Sequence, residues 1–472
     1  MSLLLTNGRV YLNGSFRTAD VLLDEEGGRV FECGTCPDHP DEALDLQEAL
    51  VLPGLSDAHV HFREPGFEHK ETIETGSLAG ARGGFTAVCT MPNLNPVPST
   101  LDGLRPQLDA IQRDGRIHVI PFGAITLAQD GRSQLSDMEA LAPYVCGFSD
   151  DGRGIQDAGL MRDAMAAAHA LDRPISAHCE DESLLGGRDI HEGSYSLAIH
   201  HAGIRSESEW RQAERDVKLA DETGCAYHIC HVSCRETISI VRDAKRSGVD
   251  VTCETGPHYL TLCDEDFFKI DPDEPNSGRF KMYPPICGRA DRGALLQGLL
   301  DGTIDMIATD HAPHTWEEKH RGLLKSNNGV IGLETSFPVM YTKFVEPGIL
   351  RLEDLVRLMA AGAKKRFCLP DHPLTASGTV AAPDFTVISV ADPYAIDPAD
   401  FLSKGRSTPF EGWAVRGRTL LTVAGGRVAY RDAALGNPRD QGALGSPESL
   451  ESSGSPDSQD NPPAQTAAGE EA

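Results

Sequence analysis

An α/β fold, a TIM (β/α)8 barrel carrying a small β-sandwich formed from both chain ends, is what this sequence predicts. Three observations predict it. Eight short apolar runs alternate with helical stretches through the middle of the chain. Strand-and-turn texture occupies both ends. Histidine and aspartate recur at one edge of the apolar runs. A length of 472 residues is enough for one large barrel and a small second domain.

The elements follow in order. Leu3-Leu4-Leu5-Thr6 breaks at Asn7-Gly8, and Val21-Leu22-Leu23 breaks at Gly27-Gly28, which reads as short strands with tight turns. From Val51 the texture changes. The candidate barrel strands are Val51–Asp57, Phe85–Met91, Ile117–Ala124, Val145–Ser149, Pro174–His178, Ala226–Val232, Val249–Glu254 and Ile304–Thr309. Between them, Leu160–Leu171, Glu207–Thr223, Arg235–Ser247 and Arg289–Leu300 show helical apolar spacing. Strands alternating with helices in this number give a barrel. Near Phe367 the β texture returns, at Gly378-Thr379-Val380, Phe385–Ile388 and Leu420–Tyr430. The domain reading is therefore residues 1–52 and 367–436 as two parts of one sandwich, with the barrel at 53–366 between them. Residues 437–472 are rich in Ser, Pro, Gly, Gln and acidic side chains. Too few apolar groups are present to offset the entropy of ordering them, so this segment is expected to be a disordered tail.

Composition excludes several classes. The net charge is −28, from 71 acidic against 43 basic residues. That balance argues against nucleic acid and against anionic membrane surfaces, both of which demand a basic face. A few local cations or metal ions still allow an anionic small substrate. The Leu3-Leu4-Leu5 run ends too soon for a secretory signal, and no stretch reaches the roughly 18 apolar residues of a spanning helix. The chain reads as cytoplasmic, and its 12 cysteines read as reduced thiols. Cys33-Gly34-Thr35-Cys36 is a lone CxxC, without the second pair a zinc ribbon needs.

The chemistry concentrates at strand ends. Asp57-Ala58-His59-Val60-His61-Phe62-Arg63 closes the first candidate barrel strand. Alternation along a strand puts His59 and His61 on one face, which at a barrel's C-terminal mouth points into the site. Two imidazoles so placed suit a divalent ion such as zinc. Phe148-Ser149-Asp150-Asp151-Gly152 ends the fourth strand and Ser176-Ala177-His178 the fifth. His228-Ile229-Cys230-His231 ends the sixth and Ala308-Thr309-Asp310-His311 the eighth. Chance placement of histidines would not favour one edge in five strands of eight.

These residues resemble the bacterial dihydroorotases of the amidohydrolase superfamily. The resemblance is carried by Pro53–Gly66, Lys70–Gly76, Gly83-Gly84-Phe85-Thr86 and Met91-Pro92-Asn93. Asp150-Asp151-Gly152, Ala177-His178-Cys179-Glu180 and Ala308–His314 complete it. It spans nearly the whole chain except the tail. What it implies is a site for two zinc ions per subunit. His59, His61 and Asp310 hold the first, His178 and His231 the second, and Asp151 bridges them where related barrels use a carboxylated lysine. Asp150 is the alternative bridge if the register shifts by one, and His228 the alternative to His231. The implied reaction is the reversible cyclisation of N-carbamoyl-L-aspartate to L-dihydroorotate plus water, in pyrimidine biosynthesis. A hydroxide between the metals attacks the ring carbonyl, with Asp310 as general base and acid. Arg63 grips the substrate carboxylate through its fork of donors, with Asn93 and His314 completing that pocket. The Gly329 amide contacts the substrate ring. Glu254 and His258 are expected to form a supporting shell, and the polar stretch Thr315–Asn328, from its place after the eighth strand, is expected to be a mobile lid.

The sequence also departs from the family. Tyr283-Pro284-Pro285-Ile286-Cys287 stands where many relatives have Asn-Pro-Pro-Leu-Arg, and Asn328 precedes Gly329 where relatives often have Pro. A dihydropyrimidinase (hydantoinase) or allantoinase is the sister reading, but those families carry lysine at the bridge, and hydantoins lack the carboxylate Arg63 would bind. A non-catalytic scaffold for aspartate transcarbamoylase is a further reading, disfavoured because every metal ligand is in place. A homodimer is a family expectation, and aspartate transcarbamoylase is the candidate protein partner.

Overall fold

The computed structural model describes residues 2–435; the segment 437–472 expected to be a tail lies outside the described residues. Strands from both ends of the chain share one nine-stranded sheet. Leu3–Leu12 pairs with Ser15–Asp24 across a two-residue Asn13-Gly14 turn. Both turn residues have positive φ, 51° and 84°, as the tightest hairpin turns require. The register of Leu3–Leu12 shifts between Leu5 and Gly8. Before that shift the strand pairs with Glu42–Asp45, and after it with Leu50–Pro53. The sheet therefore forks and encloses its own core of Leu5, Val10, Val21, Val51, Phe385, Val387 and Leu421. Leu50–Pro53 lies antiparallel to Phe385–Ser389, which joins the two chain ends.

The barrel comprises β1 Leu55–Val60, β2 Phe85–Thr90, β3 His118–Pro121 continued at Gly123–Ala124, and β4 Phe148–Ser149. It is completed by β5 Ile175–Ala177, β6 Tyr227–Ile229, β7 Val251–Thr255 and β8 Met306–Ile307. All pairings are parallel. The ring closes through a parallel bridge between Val60 and His311, where the His61 amide donates to the His311 carbonyl at 2.8 Å. Every residue of β1 and β2 is buried, as expected for strands covered on both faces.

One expected element is corrected. The apolar run Val51–Asp57 is not one barrel strand. Leu50–Pro53 belongs to the sandwich and Leu55–Val60 to the barrel. The break falls at Gly54, where a Cβ would stand 2.1 Å from Thr86 Oγ1. Only glycine allows the chain to pass so close to β2 as it leaves one sheet for the other.

The helices expected at 207–223, 235–247 and 289–300 are present as Glu207–Thr223, Arg235–Arg246 and Arg289–Leu300. Glu207–Thr223 ends at Gly224 with φ 69°, and its inner face is partly polar, with Glu209, Gln212 and Asp216 buried. All twelve cysteines are free thiols. Among the described residues no helix is long and apolar enough to cross a membrane.

Candidate metal centre

The C-terminal ends of β1, β4, β5, β6 and β8 deliver the chemistry. His59 Nε2 lies 3.3 Å from Asp151 Oδ1, and His61 Nε2 lies 3.5 Å from Asp151 Oδ2. From the other side, His231 Nε2 is 3.5 Å and His178 Nδ1 3.8 Å from Asp151 Oδ1. Asp310 Oδ1 stands 3.1 Å from His61 Nε2 and 3.5 Å from His59 Nε2. Two ligand groups result, His59–His61–Asp151 and Asp151–His178–His231, both buried and sharing the same aspartate. His59 Nε2 and Asp151 Oδ1 are buried without a hydrogen-bond partner among the described residues. Orphaned acceptors of this kind, facing one another at ligand spacing, fit a divalent cation between them. Burial opposes ionisation of Asp151, but His59 and His231 hold its carboxyl well below the ordinary range.

Three site residues depart from ordinary backbone. Arg63, His231 and Asp310 have φ of 60°, 32° and 46°. Each such non-glycine residue costs about 1–3 kcal/mol and persists only where its surroundings fix it. Around Asp310 that fixing is visible. Asp57, fully buried, accepts the amides of His59 at 2.9 Å and Thr309 at 3.0 Å, tying β1 to the chain leaving β8. His311 Nε2 lies 3.4 Å from Glu71 Oε2, and Glu71 also accepts the Ser403 hydroxyl and the Lys404 amide.

The two alternative ligands are engaged elsewhere. Asp150 accepts the amides of Ile125, Thr126 and Gly131 at 2.8, 3.0 and 3.1 Å and the Thr126 hydroxyl, so its oxygens are occupied. His228 Nε2 lies 3.2 Å from Glu254 Oε2, and its Nδ1 is 2.8 Å from Thr252 Oγ1. Glu254 also takes His59 Nδ1 at 3.0 Å. A carboxylate there can only accept, so the proton sits on His59 Nδ1 and leaves the Nε2 lone pair for a metal. Burial works against the Glu254 carboxylate, yet the facing His228 imidazole and the hydrogen bond from His59 bring its pKa down to about 2. His258 is buried nearby, and burial lowers its pKa to about 4.

A cavity of about 220 Å³ opens over the centre, lined by His61, Arg63, Asn93, Tyr283, Asp310 and Gly329 among others. Arg63 is half-buried. Its Nε donates to the Pro313 carbonyl at 3.2 Å, and no carboxylate pairs with its fork among the described residues. Asn93 Nδ2 donates to the Asp151 carbonyl at 2.7 Å, leaving Oδ1 without a partner. His314 does not line the cavity. It stands behind the rim, its Nε2 2.7 Å from the Asn328 carbonyl and its Nδ1 3.3 Å from Lys70 Nζ. Burial first, then Arg63 and Lys70, lower its pKa to about 3. The Gly329 amide is spent on the Lys281 carbonyl at 3.1 Å, so in this conformation it does not offer itself to a ring.

The stretch 315–328 is pinned here: Lys319, 4% exposed, donates to the carbonyls of Lys281 and Asn327 at 2.9 and 2.7 Å. Cys287 is buried away from the cavity, against Ser233 and His191, whereas Tyr283 stacks on His178 with centroids 5.4 Å apart and 12° between planes.

Sequence reasoning did not assign Asp57 or Glu71. A charged residue inside the apolar run of β1 is a signal for Asp57. Nothing local points to Glu71, whose partner Ser403 lies 332 residues away.

Comparison with known proteins agrees with this geometry. A family model described as "Dihydro-orotase-like" matches residues 48–237. A dihydroorotase of Fusobacterium nucleatum is 46% identical over 431 residues, covering 91% of this chain and 99% of the relative. A dihydroorotase of Bacillus cereus is 43% identical over 435 residues, with the same coverage. Among solved structures, an L-hydantoinase (dihydropyrimidinase) from Arthrobacter aurescens aligns with TM-score 0.78 and 25% identity, covering 91% of this chain and 96% of its own. A dihydropyrimidinase from Brevibacillus agri aligns with TM-score 0.78 at 20% identity, over 91% and 95% of the two chains, which speaks for the fold alone.

Proposed function

The chain belongs to the dihydroorotase family, and from that premise we propose that it interconverts N-carbamoyl-L-aspartate and L-dihydroorotate plus water. Cytoplasmic pyrimidine synthesis is the setting for this activity. The observation that carries the substrate reading is Arg63, a cation without a carboxylate partner among the described residues, in the same cavity as the histidine–aspartate cluster. A site that leaves a guanidinium fork free beside a hydrolytic centre suits a cyclic amide bearing its own carboxylate.

The roles follow from position. His59, His61 and Asp310 would hold one divalent ion and His178 and His231 a second, with Asp151 between them. Imidazole and carboxylate donors favour zinc. Bound there, such ions would supply a water acidified to a pKa of about 7 and a polarised carbonyl. Asp310 lies at the cavity edge of the cluster and takes the proton of the attacking water. It returns that proton to the amide nitrogen as the ring C–N bond breaks, and in the cyclising direction it removes the same proton. Arg63 and Asn93 orient the substrate through its carboxylate, and His314 supports that wall through Asn328.

The test is turnover of dihydroorotate, dihydrouracil, hydantoin and allantoin by protein of measured metal content, with Asp310→Asn as control. Turnover of dihydroorotate alone, reduced about 10²–10⁴-fold in Asp310→Asn, is the expected result. Turnover of a ring without a carboxylate instead would move the chain to a sister activity. No turnover with metal bound would leave an assembly role beside aspartate transcarbamoylase.

A further inference from the structure

The cyclic substrate of the proposed reaction presents three acceptor groups. One is its carboxylate, one is the amide carbonyl under attack, and one is the urea carbonyl between the two ring nitrogens. Arg63 answers the first and the metal cluster the second. The third needs a donor, because a polar group taken from water without a partner costs more than a made hydrogen bond returns.

The cavity wall offers few donors. The Gly329 amide is committed to Lys281, and the Asn93 amide gives one hydrogen to the Asp151 carbonyl and keeps the other for the substrate carboxylate. The Tyr283 hydroxyl is uncommitted: it has no hydrogen-bond partner among the described residues, and Tyr283 lines the cavity. Tyr283 is also held in place. It stacks on His178, the Tyr259 hydroxyl donates to the next carbonyl, Pro284 O, at 2.7 Å, and the Asp264 amide donates to Cys287 O at 3.0 Å. A fixed ring with a free hydroxyl gives direction to a hydrogen bond at little entropic cost. The competing donors on the same wall are the side-chain and backbone amides of exposed Asn328 and the backbone amide of Gly152, none of which has an acceptor among the described residues.

We infer that Tyr283 is a specificity-determining residue which, stacked on His178, donates its phenolic hydrogen to the urea carbonyl of the substrate. This assignment rests on the proposed cyclic-amide activity. It extends that reading to a contact made by this chain's own tyrosine.

The experiment pairs two substrates with three proteins. Wild type, Tyr283→Phe and Asn328→Ala are assayed at equal metal content on dihydroorotate and on its analogue with sulfur in place of the urea oxygen. Sulfur is the weaker acceptor. The wild type should lose roughly 3- to 10-fold in kcat/KM on the sulfur analogue. Tyr283→Phe, which keeps the ring and its stacking, should lose about as much on dihydroorotate and show no further sulfur penalty. An undiminished sulfur penalty in Tyr283→Phe overturns the assignment, as does a penalty that vanishes only in Asn328→Ala. A wild type inactive on dihydroorotate would overturn the proposed function beneath it, and that result is visible without either variant.

Discussion

Arg63 brings a positive charge to the cavity edge with only a backbone carbonyl among the described residues to meet it, on a left-handed backbone that costs energy to maintain. Such an arrangement persists when the charge has work to do with a ligand. Charge-assisted hydrogen bonds contribute about 1.5–3 kcal/mol. Arg63→Met should therefore lower kcat/KM for dihydroorotate by roughly 10- to 100-fold, mainly through KM, with metal content unchanged. Steady-state kinetics with metal analysis checks it, and a loss confined to kcat would point away from carboxylate binding. At this scale the sequence was legible in part. His59 and His61 could be paired from strand alternation alone. Asp150 and Asp151 could not be told apart, because adjacent aspartates differ only in register. The folded chain separates them, giving Asp150 to three amides and a hydroxyl while Asp151 turns an orphaned oxygen to the histidines. Positive φ at His231 and Asp310 leaves no mark on the sequence, because it is imposed by distant partners.

Two elements do more than carry ligands. β7 contributes Glu254, which sits between His59 and His228 and fixes the tautomer of a candidate ligand from behind. Loss of such an outer partner commonly weakens metal binding about 10- to 100-fold. Glu254→Gln should show that loss in chelator competition while retaining its circular dichroism spectrum. The segment 315–328 depends on a buried lysine. Burial, then the neighbouring Lys281, lowers the Lys319 pKa to about 7 from an ordinary 10.5. Below about pH 7 the amine is protonated in both folded and unfolded chains, and the cost of burying charge is fully present. Between about 7 and 10.5 the unfolded chain holds the extra proton, so this group's contribution to stability improves as pH rises. Lys319→Met has no amine to titrate. The stability of wild type relative to Lys319→Met should therefore climb between pH 7 and 9.5 in paired denaturant titrations, and a flat difference would show that Lys319 titrates normally. Elements were the most legible level in the sequence, since alternating apolar runs mark barrel strands directly. The exception at Gly54 shows the limit. Leu50–Pro53 and Leu55–Val60 are separated by a single residue, and only the closeness of Thr86 to Gly54 reveals where one sheet yields to the other.

The molecule as a whole is tied at two places by groups far apart in sequence. Strands from both chain ends close one sheet, so the sandwich cannot form before the barrel has been synthesised. The second tie is the candidate metal centre. Its residues come from β1, β4, β5, β6 and β8, on several sides of the ring, and each imidazole has a carboxylate oxygen within 4 Å. Without a cation, His59 Nε2 and Asp151 Oδ1 lie buried with unmet bonding capacity among the described residues, which is costly. A bound metal satisfies them and links strands that otherwise meet only through their neighbours. Any ligand that binds the folded chain alone stabilises it by RT ln(1 + [L]/Kd), about 4 kcal/mol at a thousandfold excess over Kd. Metal removal should therefore lower Tm by several degrees, and added zinc should restore it in proportion to the logarithm of its free concentration. Asp151→Ala, which deletes the shared carboxylate, should lack most of that zinc-dependent rise, whereas Asp310→Asn should keep part of it through the His178–His231 side. Calorimetry across a zinc titration distinguishes these cases. Equal zinc dependence in all three proteins would mean that Asp151 does not join the two halves of the site.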